Sequence, residues 1–315
     1  MLSRRNIRIK VLQQLYAFQQ QESPSLPNTI KQLQSSFKGI YQVYYFAIEF
    51  LEDFNTYLES EREVEIQKYF PSKTHIHKTK AIERLDFYHA IVNSEDFKLY
   101  KVQSKYNWRN HGHLFDKLFE DIVQYDFFIE FDIFEKPTSD VQKQFLTNLY
   151  EVLFNEFDLF ESIMSDEYVL WDDDSADVLQ AIIKSIDKFY DKGKLTIEKP
   201  EPKQTEGMIF GEDLLKKCIV DKDYIDDLIK TNISNWDSER LTMMDIIMLR
   251  MSISEFLYFE TIPPKATINE YLDIAKIYST PKSHIFINGV LDKIRKTLLE
   301  NGKMIKTGIG LKNEK

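Results

Sequence analysis

The chain has 315 residues, of which 43% are hydrophobic and 14% aromatic, with a formal net charge of −10. This is ample material for one large or two smaller buried cores, while no run approaches the roughly 18 consecutive apolar residues that a bilayer-crossing helix needs. The single cysteine, Cys218, excludes an internal disulfide, and nine glycines with nine prolines are too few for a turn-rich sandwich or barrel.

Charge is unevenly spread. Residues 1–20 carry Arg4, Arg5, Arg8 and Lys10 without an acid, and residues 264–315 carry ten basic against five acidic side chains. The two ends hold about +9, which leaves about −19 for the middle. The basic start, MLSRRNIRIK, lacks a following apolar stretch and small-residue cleavage site, so no secretory signal is read and a cytoplasmic protein is expected.

In chain order, the first predicted helix runs from Ser3 to about Gln21, with Ile7, Val11, Leu15 and Phe18 at helical spacing. Arg4 and Arg8 fall close to that apolar face. Unpaired guanidinium groups cannot enter a core without a large desolvation cost. Either the first turns overhang the bundle, or acidic partners meet them.

Residues 25–204 form a long middle section in which Phe37–Tyr57, His113–Phe134, Val141–Met164 and Ser175–Tyr190 read as helices. The acids Asp172, Asp173 and Asp174 read as a loop leading into the last of these, and Lys199-Pro200-Glu201-Pro202 as a linker. Helical pieces follow at Gly211–Cys218 and Asp223–Thr231. Asp237 is a plausible N-cap for a helix through Arg250 to Phe259, and Thr267 with Glu270 reads as a capping box. A final helix carries Ile287, Leu291, Ile294 and Leu298 on its apolar face, and residues 301–315 read as a flexible basic tail.

No catalytic arrangement of serine, cysteine or carboxylates is recognisable, and neither G-x-G-x-x-G nor G-x-x-x-x-G-K-[ST] occurs. The pairs His75-x-His77 and His111-x-His113 share a side only on a strand, so a metal site is not expected in a helical protein. No catalysis, metal or cofactor is therefore expected.

The ends of the chain resemble the NusB family of transcription antitermination proteins. At the amino terminus the resemblance lies in Arg4-Arg5-Asn6-Ile7-Arg8, Gln14-Leu15-Tyr16 and Gln19. In the last third it lies in Trp236, Arg240-Leu241, Asp245, Leu249-Arg250 and Glu255, then Ile262-Pro263, Ile268-Asn269-Glu270 and Ala275-Lys276. Ser283 and Phe286-x-Asn288-Gly289-Val290-Leu291-Asp292 complete it. The resemblance covers about residues 1–24 and 205–300, so residues 25–204 read as a large helical, acidic, aromatic-rich insertion or an enlarged amino-terminal bundle.

The resemblance implies an all-α fold of two packed bundles. It implies binding of boxA-like single-stranded RNA together with NusE, a small-subunit ribosomal protein, and through them an indirect link to elongating RNA polymerase. Premature termination is thereby suppressed, notably on ribosomal RNA operons.

On that reading Arg4, Arg5 and Arg8 suit phosphates and unpaired bases, with Lys10 a weaker addition. Tyr16 fits base stacking as well as it fits a core-edge tyrosine. Lys282, Ser283, Phe286 and Asn288 stand at the start of the last helix, where backbone amides suit a phosphate, whereas Gly289 reads as a packing residue. By resemblance Glu255 marks the NusE contact, and Arg240 and Arg250 read as structural. The alternatives are a non-catalytic scaffold of the same fold that binds no RNA, and an RNA-modifying enzyme, since NusB-like domains also occur attached to ribosomal RNA methyltransferases.

Overall fold

The computed structural model describes residues 2–108, 111–199, 203–233 and 241–311. The described residues are helical without a strand, in the order α1 (Arg4–Gln20), α2 (Leu26–Ile66), α3 (Lys73–Lys78), α4 (Asp86–Asn93), α5 (Glu95–Gln103), α6 (Gly112–Ile122), α7 (Asp126–Asp132) and α8 (Ser139–Asn155). The order continues with α9 (Asp158–Glu167), α10 (Trp171–Lys192), α11 (Glu206–Val220), α12 (Lys222–Ile233), α13 (Met243–Tyr258), α14 (Pro264–Tyr278) and α15 (Ser283–Glu300). They form two compact units, one of residues 38–203 and one of residues 2–37 with 204–315.

The first unit is organised around the greater part of α2. Tyr44, Tyr45, Phe46, Phe50 and Phe54 are all buried along it. Phe46 stacks on Trp108 at 4.2 Å between ring centroids, and Trp108 Nε1 donates to the Phe46 carbonyl at 2.9 Å. Phe50 and Trp108 both reach Phe160, at 5.7 and 5.6 Å. Rings of this size bury large apolar areas and orient one another through their quadrupoles. Tyr100 and Glu49 meet inside this unit, the phenol donating to Glu49 Oε2 at 3.2 Å.

In the second unit, α1 packs on α11 and α13, while α15 packs on α12, α13 and α14. Local signals define the ends. The Ser3 side chain accepts from the Asn6 amide and the Thr205 side chain from the Met208 amide. Thr242 and Asp245 form a reciprocal capping box that starts α13. A Cβ on Gly207 would meet Ile7 Cδ1 at 2.7 Å, and one on Gly211 would meet Ile7 Cγ2 at 2.7 Å and Phe37 Cζ at 2.8 Å. These two glycines let α11 approach α1 closely.

Several elements differ from the sequence reading. The helix expected over Phe37–Tyr57 is the centre of a 41-residue helix beginning at Leu26, because Pro27 falls in its first turn where an amide is not needed. The two long helices expected over His113–Phe134 and Val141–Met164 are each divided, at 123–125 and 156–157, by turns that carry neither glycine nor proline. Asp172, Asp173 and Asp174 are not a leading loop but the first turn of α10, where acids complement the helix dipole. Thr267 does not cap α14: Pro264 opens that helix three residues earlier, and Thr267 is fully buried within it. The proposed cap Asp237, with Trp236 and Arg240, lies outside the described residues.

The carboxy-terminal segment is also not a free tail over residues 301–311. Lys306 Nζ donates to the carbonyls of Glu255 and Phe259 at 3.0 and 2.9 Å, a second donor to acceptors that already take the Phe259 and Ile262 amides at the end of α13. Met304 and Gly310 are buried with it. Residues 312–315 lie outside the described residues.

Candidate nucleic-acid interface

Of the two fates open to the arginines of α1, acidic partners decide for two of them. Arg8 is only 4% exposed, and its Nε and Nη2 donate to the two oxygens of Glu255 at 2.7 and 2.8 Å. Burial works against the Arg8 charge, but the hydrogen bonds and charge of Glu255 outweigh it, and the guanidinium is held above its ordinary range. Thr267 Oγ1 and Tyr271 Oη also donate to Glu255, at 2.9 and 2.8 Å. Spaced four apart on α14, these two share one face of that helix, and together with Arg8 they satisfy the carboxylate fully.

Two expectations are corrected by this geometry. Arg8 does not project for RNA, and Glu255 is fully buried, so it presents no surface to a protein partner. Lys10 is 1% exposed and engaged within the fold, so it too is removed from direct contact with RNA. Ser283 is buried as well. Its hydroxyl and that of Ser279 donate to Asp245 at 3.1 and 2.6 Å, tying the start of α15 to the cap of α13.

The remaining positions are accessible. Arg5 lies at 3.0 Å from Glu270 and 2.9 Å from Asp273, with its side chain 44% exposed. The Glu270 hydrogen bond is the main influence that raises the Arg5 guanidinium above its ordinary range. Arg4 is exposed, and its guanidinium carbon sits 4.7 Å from the centroid of Phe210. That ring holds Arg4 by its quadrupole without neutralising it. Phe210 had no signal in the sequence, because an aromatic on an amphipathic helix does not announce a cation above it.

Tyr16 is 41% exposed, Lys282 and Asn288 are exposed and Phe286 is half-buried. Gly289 is exposed, and close helix packing is seen at Gly207 and Gly211. The structure thus leaves two groups on separate helices, Arg4, Arg5 and Tyr16 on α1 and Lys282, Phe286 and Asn288 on α15. Arg250 pairs with Asp226 at 2.5 and 2.9 Å.

Burial pushes the Cys218 thiol up to about 12, which makes it a poor nucleophile. Among the described residues no group of three or more histidine, cysteine, aspartate or glutamate side chains is placed to hold a metal. His77 faces the Asp132 carbonyl at 2.9 Å and His75 packs on Phe119. No helix among the described residues is long and apolar enough to cross a membrane.

By fold this is an all-α protein in which the two ends of the chain make one helical unit with a basic first helix. The model of the NusB family matches residues 175–296, from within α10 to within α15. The transcription antitermination protein NusB of Salinibacter ruber is 40% identical over 102 residues, 32% of this chain and 64% of that protein. That of Geobacter sulfurreducens is 36% identical over 109 residues, 35% of this chain and 79% of that protein. That of Chloroherpeton thalassium is 41% identical over 87 residues, 28% of this chain and 41% of that protein. This chain belongs to the NusB family. It spans just under two thirds of the Salinibacter relative it matches, and the family model does not reach α1. No solved structure matches the chain.

Proposed function

We propose that this protein is an RNA-binding antitermination factor that holds boxA-like single-stranded RNA together with NusE and so suppresses premature termination, notably on ribosomal RNA operons. It acts as a scaffold, without a catalytic step, and reaches RNA polymerase only through its partners. The observation that carries this reading is the joining of the basic first helix to the family-matched helices α11 to α15 in one folded unit, with Arg4 and Arg5 accessible at its start. RNA contact is assigned to Arg4, Arg5 and Tyr16, with Lys282, Phe286 and Asn288 as a second group. Arg8, Lys10 and Ser283 support these from within. Because Glu255 is buried, the NusE surface belongs to other, exposed residues of this unit.

The test is binding of a labelled boxA-type RNA across a salt series, with and without NusE, for the wild type and Arg4→Ala/Arg5→Ala. The log–log slope for single-stranded RNA is about −0.7 per phosphate neutralised, so losing two contacts flattens it by about 1.4. Unchanged affinity and slope in the variant sink the residue assignment. The pairing of Arg5 with Glu270 and Asp273 favours a second reading, a helical scaffold for protein partners alone; absence of wild-type RNA binding under both conditions selects it.

A further inference from the structure

The turn between α2 and α3 carries a feature that α1 and α15 do not need. Tyr69 is 92% exposed and Phe70 83% exposed, their rings edge to face at 4.7 Å. Large aromatics are ordinarily the first residues a fold buries. These are not loose, either. Glu65, itself 5% exposed, accepts from the Ser72 amide at 2.8 Å and from Lys68 Nζ at 2.5 Å. Its carboxylate closes the turn that carries the two rings, and Pro71 follows them with a fixed backbone angle.

The charge around them is the reverse of the surrounding section. Residues 66–80 contain Lys68, Lys73, Lys78 and Lys80 and no acid, inside a middle section that is strongly acidic. Lys68, Lys73 and Lys80 are exposed and Lys78 is half-buried.

We propose that this turn is a second contact for single-stranded RNA, in which Tyr69 and Phe70 stack on bases while Lys73, Lys78 and Lys80 take the adjoining phosphates. Exposed aromatic faces interleaved with cations are what a single strand requires, because every base has a face to stack and every linkage a charge to neutralise. A folded protein partner needs a broad complementary surface, about 800 Å² on each side; two projecting rings offer a stacking platform instead. The site belongs to the unit of residues 38–203, whereas the α1 residues proposed above belong to the other unit.

The experiment uses the full chain and a fluorescein-labelled oligouridine of about 20 nucleotides, read by anisotropy over a salt series, in an Arg4→Ala/Arg5→Ala background that silences α1. Adding Tyr69→Ala/Phe70→Ala is expected to weaken binding about tenfold or more. Adding Lys73→Gln/Lys80→Gln is expected to flatten the log–log slope by about 1.4. The altered side chains are exposed, so thermal melts of all variants should coincide. The proposal is overturned if the background variant binds no oligouridine, or binds it equally well after both further changes. It is also overturned if Tyr69→Ala/Phe70→Ala abolishes binding to phosphatidylglycerol vesicles and leaves RNA binding intact. A wild type that binds no boxA-type RNA but retains Tyr69-dependent oligouridine binding would instead count against the function proposed for α1.

Discussion

Arg8 and Glu255, 247 residues apart in sequence, face each other inside the protein with both oxygens of the carboxylate engaged by the guanidinium. The pair joins α1 to α13, so the first helix is fixed to the family-matched part of the chain by a fully desolvated ion pair. Removing either charge leaves the other uncompensated.

Glu255→Ala is accordingly expected to destabilise the unit of residues 2–37 and 204–315 by about 3–5 kcal/mol, since Arg8 loses its counter-charge and Thr267 and Tyr271 lose their acceptor. Denaturant titration with hydrogen exchange at the α1 amides measures this. A change below about 1 kcal/mol would mean that water or another acid takes the place of Glu255.

The exposed arginine behaves differently. Glu270 and Asp273 hold Arg5 at the surface, where an ion pair contributes only about 0.2–1 kcal/mol. Glu270→Gln/Asp273→Asn is expected to leave stability nearly unchanged and to tighten boxA-type RNA binding severalfold, because RNA no longer competes with two carboxylates for Arg5. RNA affinity that is unchanged or lower in this variant counts against Arg5 as a phosphate ligand.

Burial raises the Glu49 carboxyl to about 7, with the nearby Lys101 ammonium opposing the shift. The fold thus favours the protonated form, so the contribution of Glu49 to stability is intact below the ordinary carboxylate range and is lost as pH rises through about 7. Glu49→Gln keeps an acceptor for Tyr100 and never ionises. Its stability relative to the wild type is therefore expected to improve between pH 5 and pH 8 by on the order of 2 kcal/mol. Thermal melts at the two pH values measure it, and a difference that does not change with pH contradicts the assignment.

The segment after α15 gives a steric prediction. A Cβ on Gly310 would lie 2.1 Å from the Glu260 carbonyl oxygen. Gly310→Ala is expected to displace residues 303–311, release Lys306 from the end of α13 and cost about 1–3 kcal/mol. Limited proteolysis after residue 302 should become faster in Gly310→Ala and in Lys306→Ala alike. Equal rates in wild type and variants would show that this segment is not held by these contacts.

What the sequence by itself determined is local or additive. The 3.6-residue spacing of Ile7, Val11 and Leu15, the apolar stripe from Ile287 to Leu298, the scarcity of glycine and proline and the charged ends are properties of neighbouring residues, and they lead to an all-α protein. Spaced motifs lead to the family for the same reason, since their order is carried by the chain. The turns at 123–125 and 156–157 escaped because nothing there is a helix breaker.

The tertiary structure alone decided which charged residues are available. Periodicity gives the angle at which Arg8 leaves its helix but not what stands opposite, and Glu255, Thr267 and Tyr271 come from distant parts of the chain. The same holds for Lys10 and Ser283, whose polarity suggested solvent and whose surroundings are protein. Conversely, Tyr69 and Phe70 are of residue types common in cores, and the structure leaves both exposed on the turn that Glu65 closes. A side chain's exposure is set by what the rest of the chain packs against it, and that information lies in contacts between residues far apart in sequence.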